Sequence, residues 1–267
     1  MPGPVPPGAL SPPDVGPDQT LDAISGHFRL FQLREGHRFS TDDLLTAWYG
    51  TSWAPSAGVV LDLGSGIGSV GMIAAWRLQG ARFVTVEAQD ESVALARKSA
   101  AYNGLDDRYD IRHGDFRDAS VLHADERFDL ILGSPPYFPP GTGAEGDHPQ
   151  KVACRFELRG DAADYARAAS RHLRTGGLFA CVYPESRRDY LEQAARDCGL
   201  ALVRRRPVVF REGEPPLVSL YGFARAIDLP EGFRERTFVE PPIVIRAADG
   251  SIHPEYAALK LAIGFPP

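Results

Sequence analysis

Between Gly58 and Gly133 strand-like and helix-like patterns alternate. That alternation restricts the fold more than any other feature. GVVLDL, RFVTVE, YDIRHGD and RFDLILG have the length of strands rather than helices. After the first run, Val70, Ile73, Ala74, Arg77 and Leu78 follow a helical period that stops at Gly80. After the second comes DESVALARKSAAYNG, with Asp90 expected as its cap and Asn103-Gly104 as its stop. Strands joined through helices lie parallel, and the crossovers cover both faces of the sheet. An α/β fold with a doubly wound, parallel sheet is therefore expected.

The flanks extend the pattern. STDDLLTAWYG reads as a helix with Ser40 or Thr41 as N-cap, Asp42 and Asp43 in its first turn and Gly50 at its end. DAADYARAASRHLRTGG reads as a helix closed by Gly176-Gly177, LFACVY as a strand, and PESRRDYLEQAARDCG as a helix opened by Pro184. LALVRR, LVSLYGFAR and PIVIRA are β-like, and PEYAALKLAI is a short final helix. The first twenty residues are dense in Pro and Gly and read as a disordered tail, which leaves 21–267 as one domain. No basic-then-apolar leader opens the chain, and no apolar run nears the ~20 residues of a membrane helix. Cys154, Cys181 and Cys198 share no metal-ligand spacing, so reduced thiols, no metal site and a cytoplasmic protein are expected. The net charge of −6 leaves nucleic-acid binding to a local patch, and Arg204-Arg205-Arg206 is the densest candidate, a solvated face being the alternative.

The carboxyl ends of the first three strands carry the ligand chemistry. DLGSGIG, Asp62 to Gly68, lets the backbone pass close to a ligand at a helix N-terminus through Gly64, Ser65, Gly66 and Gly68. Its spacing departs from the dinucleotide fingerprint, since Ser69 follows Gly68. Asp62 can order this loop or accept from an ammonium group. Glu87, followed by Ala88, ends the second strand where a carboxylate can hold two ribose hydroxyls. Asp115 follows the third strand, beside Phe116, and could accept from an adenine amino group. The combination resembles the class I S-adenosylmethionine-dependent methyltransferases. That resemblance implies a seven-stranded, mostly parallel, Rossmann-like sheet with an antiparallel C-terminal strand, and S-adenosylmethionine as the cofactor.

The fourth strand runs into SPPY, Ser134 to Tyr137, where two prolines stiffen a turn just past the strand. An exocyclic amine on a planar base has its lone pair delocalised into the ring. Ser134 Oγ and the Pro135 carbonyl, accepting both amino hydrogens, would draw the nitrogen toward tetrahedral geometry, with Pro136 stiffening the pair. Tyr137 offers a face for a flipped base. The turn is similar to the [Asn/Asp/Ser]-Pro-Pro-[Tyr/Phe] signature of amino-methyltransferases.

GHRFSTDDLLTAW, from Gly36 onward, resembles the corresponding segment of the bacterial tRNA(Val) adenine-N(6) methyltransferase family, as do DHPQKVACRFELRGDAADYARAA and PIVIRAADGSIHPEYAAL. The resemblance spans about residue 25 to the end. It implies methylation of the 6-amino group of adenine in tRNA, with Thr41 and Asp42 near the cofactor's methionine end and Arg155 near substrate. Ser134 stands where that family most often has asparagine. Three alternatives stay open: a guanine 2-amino group in rRNA, a protein glutamine, or a non-catalytic binding module of the same fold.

Overall fold

The computed structural model describes residues 14–138, 148, 150, 157 and 160–265. Its centre is a sheet whose strands run in the order β5 (Tyr109–His113), β4 (Arg82–Glu87), β3 (Val59–Leu63), β6 (Phe128–Gly133), β7 (Leu173–Pro184), β9 (Val218–Arg225) and β8 (Leu200–Arg211). All neighbours are parallel except β9, which runs antiparallel to both β7 and β8. The expected seven strands are present. The sheet has nine because β10 (Phe238–Val239) and β11 (Ile243–Arg246) add, in parallel, along different parts of the long outer edge of β8. The chain winds outward from β3 through β4 to β5, then returns to place β6 on the other side of β3. The crevice over the ends of β3 and β6 is thus the switch point, where open α/β sheets bind ligands.

Alternation along the strands explains the layers. Leu130 and Leu132 of β6 enter one apolar core and Ile131 enters another on the opposite face. The first core packs α1 (Thr41–Trp53), α2 (Ser69–Arg77) and α3 (Asp90–Tyr102), and the second packs α4 (Ala162–His172) and α5 (Arg188–Asp197). A hairpin of β1 (Gln19–Ala23) and β2 (Arg29–Leu33) lies over α3. The free backbone edge of β2 is satisfied there: Asn103 Oδ1 accepts from Arg29 N–H at 2.8 Å, and Ser99 Oγ accepts from Phe31 N–H at 2.9 Å. Gln19 and Thr20 of this hairpin fall inside the stretch that composition alone sets aside as tail.

Four local expectations shift. Ser40 is the N-cap of α1, in a reciprocal capping box with Asp43, but the helix runs past Gly50 to Trp53. Gly50 instead provides clearance, since a Cβ there would lie 2.4 Å from Leu132 Cδ2. Asp90 is the first residue of α3 rather than its cap, which is Gln89. Helix α4 stops at His172, because buried Leu173 is drawn into the sheet opposite Phe128. Pro184 ends β7, and a short 3-10 turn, Glu185–Arg187, leads into α5.

The three consecutive arginines turn inward. Arg204 pairs with Glu240 and lies over the rings of Trp53 and Tyr49. Arg205 Nη1 lies 2.5 Å from Glu185 Oε1, and Arg206 pairs with Glu255 of α6 (Pro254–Ala262). Their side chains are only 14–15% exposed, so the run is neither a solvated face nor an open phosphate patch.

Candidate active site

Strand β3 ends at Leu63 and the chain turns through Gly64, Gly66 and Gly68 at φ +60°, +54° and +88° before α2 begins. Gly64 is needed twice, because a Cβ there would also meet Tyr165 Oη at 2.0 Å. Gly66 faces open space, leaving a passage beside bare backbone. Glu87, buried at the last position of β4, shapes the loop as well as facing the cavity. Its Oε2 accepts from Gly66 N–H and its Oε1 from Gln89 N–H, each at 2.8 Å. Ser65 Oγ is buried on the same wall with no hydrogen-bond partner among the described residues.

Asp62 is 1% exposed and accepts from Gly71 N–H at 2.9 Å. Burial pushes its carboxyl up to about 8, opposed by the Gly71 N–H and reinforced by the Asp43 and Glu87 carboxylates. The folded chain therefore holds an extra proton between the usual 3.8 and about 8. The stability this group contributes is complete below the lower value and is lost as pH rises through the upper one. Asp62→Asn keeps an acceptor for Gly71 and removes the titration. The melting temperature of the cofactor-free protein should fall less steeply from about pH 5 to pH 9 in this variant than in wild type. Equal slopes, measured by calorimetry, would place the proton elsewhere.

A capping interaction joins two walls. Asp43 closes the capping box of α1 through Oδ2, and its Oδ1 accepts from Ser69 Oγ, at the start of α2, at 2.5 Å. Asp42 beside it faces the cavity and accepts from Tyr137 Oη at 2.6 Å. The SPPY turn lies at the end of β6 with Ser134 half-buried and Pro135 buried. Behind it, Arg187 Nη1 donates to the Tyr137 carbonyl at 2.8 Å and to Glu157 Oε1 at 2.5 Å, its guanidinium lying over the rings of Tyr183 and Tyr190.

These elements enclose one cavity of about 650 Å³. Asp42, Asp62, Gly64, Ser65, Gly66, Glu87, Ala88, Asp115, Phe116, Ser134, Pro135, Pro136 and Tyr137 all line it. Thr41 and Gly68 do not. Thr41 is the first residue of α1, and Gly68 is the left-handed cap of α2. Arg155 lies outside the described residues. Asp115 is gripped by Arg117, whose Nε lies 2.9 Å and 3.0 Å from its two oxygens, so it is less open to an adenine amine than its position in the sequence implies. Tyr137 is half-buried with its hydroxyl engaged, and the more exposed ring at the mouth is Phe138. Arg34, His37 and Arg38, which follow the hairpin, form a wall that strand and helix periodicity did not reveal. The same holds for Tyr165, which sits edge-on to Phe116 at 4.8 Å.

The cavity suits S-adenosylmethionine on its own chemistry. The acidic side chains of Asp42, Asp43, Asp62 and Glu87 line it, and a ligand bearing ammonium and sulfonium charges offsets the cost of ionising the buried Asp42 and Asp62. The orphan Ser65 hydroxyl and the opening at Gly66 supply a polar partner and room for the molecule to pass.

Comparison with known proteins agrees with this geometry. Two curated relatives bear the name tRNA1(Val) (adenine(37)-N6)-methyltransferase, one from Escherichia coli O157:H7 at 28% identity and one from Citrobacter koseri at 29%. Each alignment covers 84% of this chain and 87% of the relative. Among solved structures, a protein described as a predicted O-methyltransferase from Agrobacterium tumefaciens shares the fold with a TM-score of 0.65 at 19% identity, over 84% of this chain and 98% of that one. A family model described as "Methyltransferase domain" matches residues 55–204, from the residues before β3 into β8. The chain belongs to that methyltransferase family and is an S-adenosylmethionine-dependent methyltransferase.

Proposed function

We propose that the protein methylates the 6-amino group of adenine in tRNA, in the cytoplasm, and that residues 21–267 act as one domain. The observation that carries this reading is the meeting, in one cavity, of the Glu87-shaped glycine loop and the Ser134-Pro135 turn across the switch point. Asp62, Ser65, Gly66, Glu87 and Ala88 line the part that would hold S-adenosylmethionine, with Asp115 and Phe116 toward its adenine. When bound, the cofactor supplies an electrophilic methyl group. Ser134 Oγ and the Pro135 carbonyl accept the two amino hydrogens and present the nitrogen lone pair. Arg187, through the Tyr137 carbonyl, keeps the turn from rotating. Fixing both reactants supplies a large part of the acceleration such sites achieve. The curated relatives' names point to tRNA as the polymer and to the adenine 6-amino group as the acceptor.

Incubating the full chain with methyl-labelled cofactor and separate tRNA, rRNA, DNA and protein fractions tests the polymer. Label is expected in tRNA. Label confined to rRNA or protein would overturn the proposal.

A further inference from the structure

We propose, on the reading that tRNA is the substrate, that Arg211 and Arg246 together grip a backbone phosphate of that RNA beside the active site. A chain with a net charge of −6 can hold a polyanion only through a local cationic patch. The run at 204–206 does not supply it, because Glu185, Glu240 and Glu255 already neutralise those three arginines.

The far end of the same strand is built differently. Arg211 is the last residue of β8 and Arg246 the last of β11, and the two stand directly opposite in register. Both are exposed. Like charges placed opposite each other across a strand pair destabilise it. Neither arginine forms an ion pair among the described residues, and both approach the same glycine. Arg246 Nη1 donates to the Gly250 carbonyl at 2.8 Å, and a Cβ on Gly250 would lie 3.7 Å from Arg211 Nη1. Two carboxylates at this corner are turned to other partners. Glu212 Oε2 accepts from Ala248 N–H at 3.2 Å, and Asp249 Oδ1 accepts from Ser251 N–H at 2.9 Å and Ser251 Oγ at 2.6 Å. Two guanidinium groups thus meet at one corner without an acid between them. A phosphodiester fits there, since planar guanidinium forks bond its oxygens and its charge relieves their repulsion.

The topology puts this corner on the substrate's side of the molecule. Strand β9 is antiparallel to both β7 and β8, so β8 and β11 run in the direction of β6. Arg211, Arg246 and the SPPY turn therefore share the carboxyl edge of the sheet. Three strand steps lead from β6 to β8 and a fourth to β11, roughly 15–20 Å along the edge. That span lies within the footprint of a folded RNA seated with one base in the cavity.

Fluorescence anisotropy of labelled tRNA with the full chain, at about 50 to 200 mM salt, tests the pair. In the double variant Arg211→Gln/Arg246→Gln, the slope of log affinity against log salt should become shallower by about two, and affinity should fall roughly tenfold. The loss should fall on KM for tRNA more than on kcat, with cofactor affinity by calorimetry unchanged. Arg211→Glu supplies the acid that Arg246 lacks. This single variant should melt no lower than wild type and yet bind tRNA at least as weakly as the double variant. Arginines with a merely structural role would lower the melting temperature when replaced. A wild-type salt slope and affinity in the double variant would overturn the inference, as would a loss of binding that only accompanies a loss of stability. If wild type bound tRNA without methylating it, the proposed function would fail instead, and the salt slopes would still decide whether the pair holds phosphate.

Discussion

Ser134→Ala is expected to lower kcat by roughly 100–1000-fold while cofactor affinity stays near that of wild type. The serine lies at the end of β6, on the far side of the switch point from Glu87, and the loop around Glu87 draws its hydrogen bonds from Gly66 and Gln89 rather than from the SPPY turn. Deleting one hydroxyl there leaves the cofactor's wall intact. The amine then has one acceptor, the Pro135 carbonyl, and nothing draws its second hydrogen out of the ring plane. The effect falls on the bond-making step, so it should appear in single-turnover rates and not in calorimetric titration with S-adenosylmethionine. Equal losses in rate and affinity would mean that Ser134 belongs to the cofactor pocket. Cysteine at this position should recover little, because a thiol is a weak acceptor.

Glu87→Ala should do the opposite, weakening cofactor binding by about 100-fold and sparing the rate at saturation. Two effects combine. The side chain is the carboxylate proposed to hold a pair of ribose hydroxyls, and it is the acceptor for the Gly66 and Gln89 N–H groups. Removing it leaves two donors unpaired beside a loop whose glycines already sit at positive φ. Glu87→Gln should lie between the two, since the amide retains one acceptor oxygen. Calorimetry on the three proteins gives the order directly, and an unchanged affinity in Glu87→Ala would move the ribose elsewhere.

The parts of this site that were legible in the sequence share a physical cause: each is local. Strands β3 to β6 show themselves by their short length between stops, the glycine loop by residues that tolerate positive φ, and the SPPY turn by prolines that cannot continue a ladder. Contacts between distant segments leave no such trace. Arg187 lies 50 residues from the carbonyl it holds, and Asp42 is farther still from Tyr137. Arg187 stands in the sequence as one of a pair of arginines, and the resemblance that puts Asp42 near the cofactor does not disclose its bond to Tyr137. Gly50 departs from expectation for a related reason. Glycine ends many helices, and only the position of Leu132 shows that this one makes room within a helix. The arginines at 204–206 stand in an unbroken run within β8, and their partners Glu185, Glu240 and Glu255 come from three separate segments of the chain. A charge run alone cannot disclose that its charges are already neutralised.

Delivery of a methyl group from this cavity to the 6-amino nitrogen of adenine in tRNA is best checked by nucleoside analysis of tRNA treated with the full chain and S-adenosylmethionine. N6-methyladenosine is expected as the new nucleoside, absent when Ser134→Ala replaces wild type over the same time. Methyl groups found on a ring nitrogen, on the guanine 2-amino group or on a ribose oxygen would contradict it.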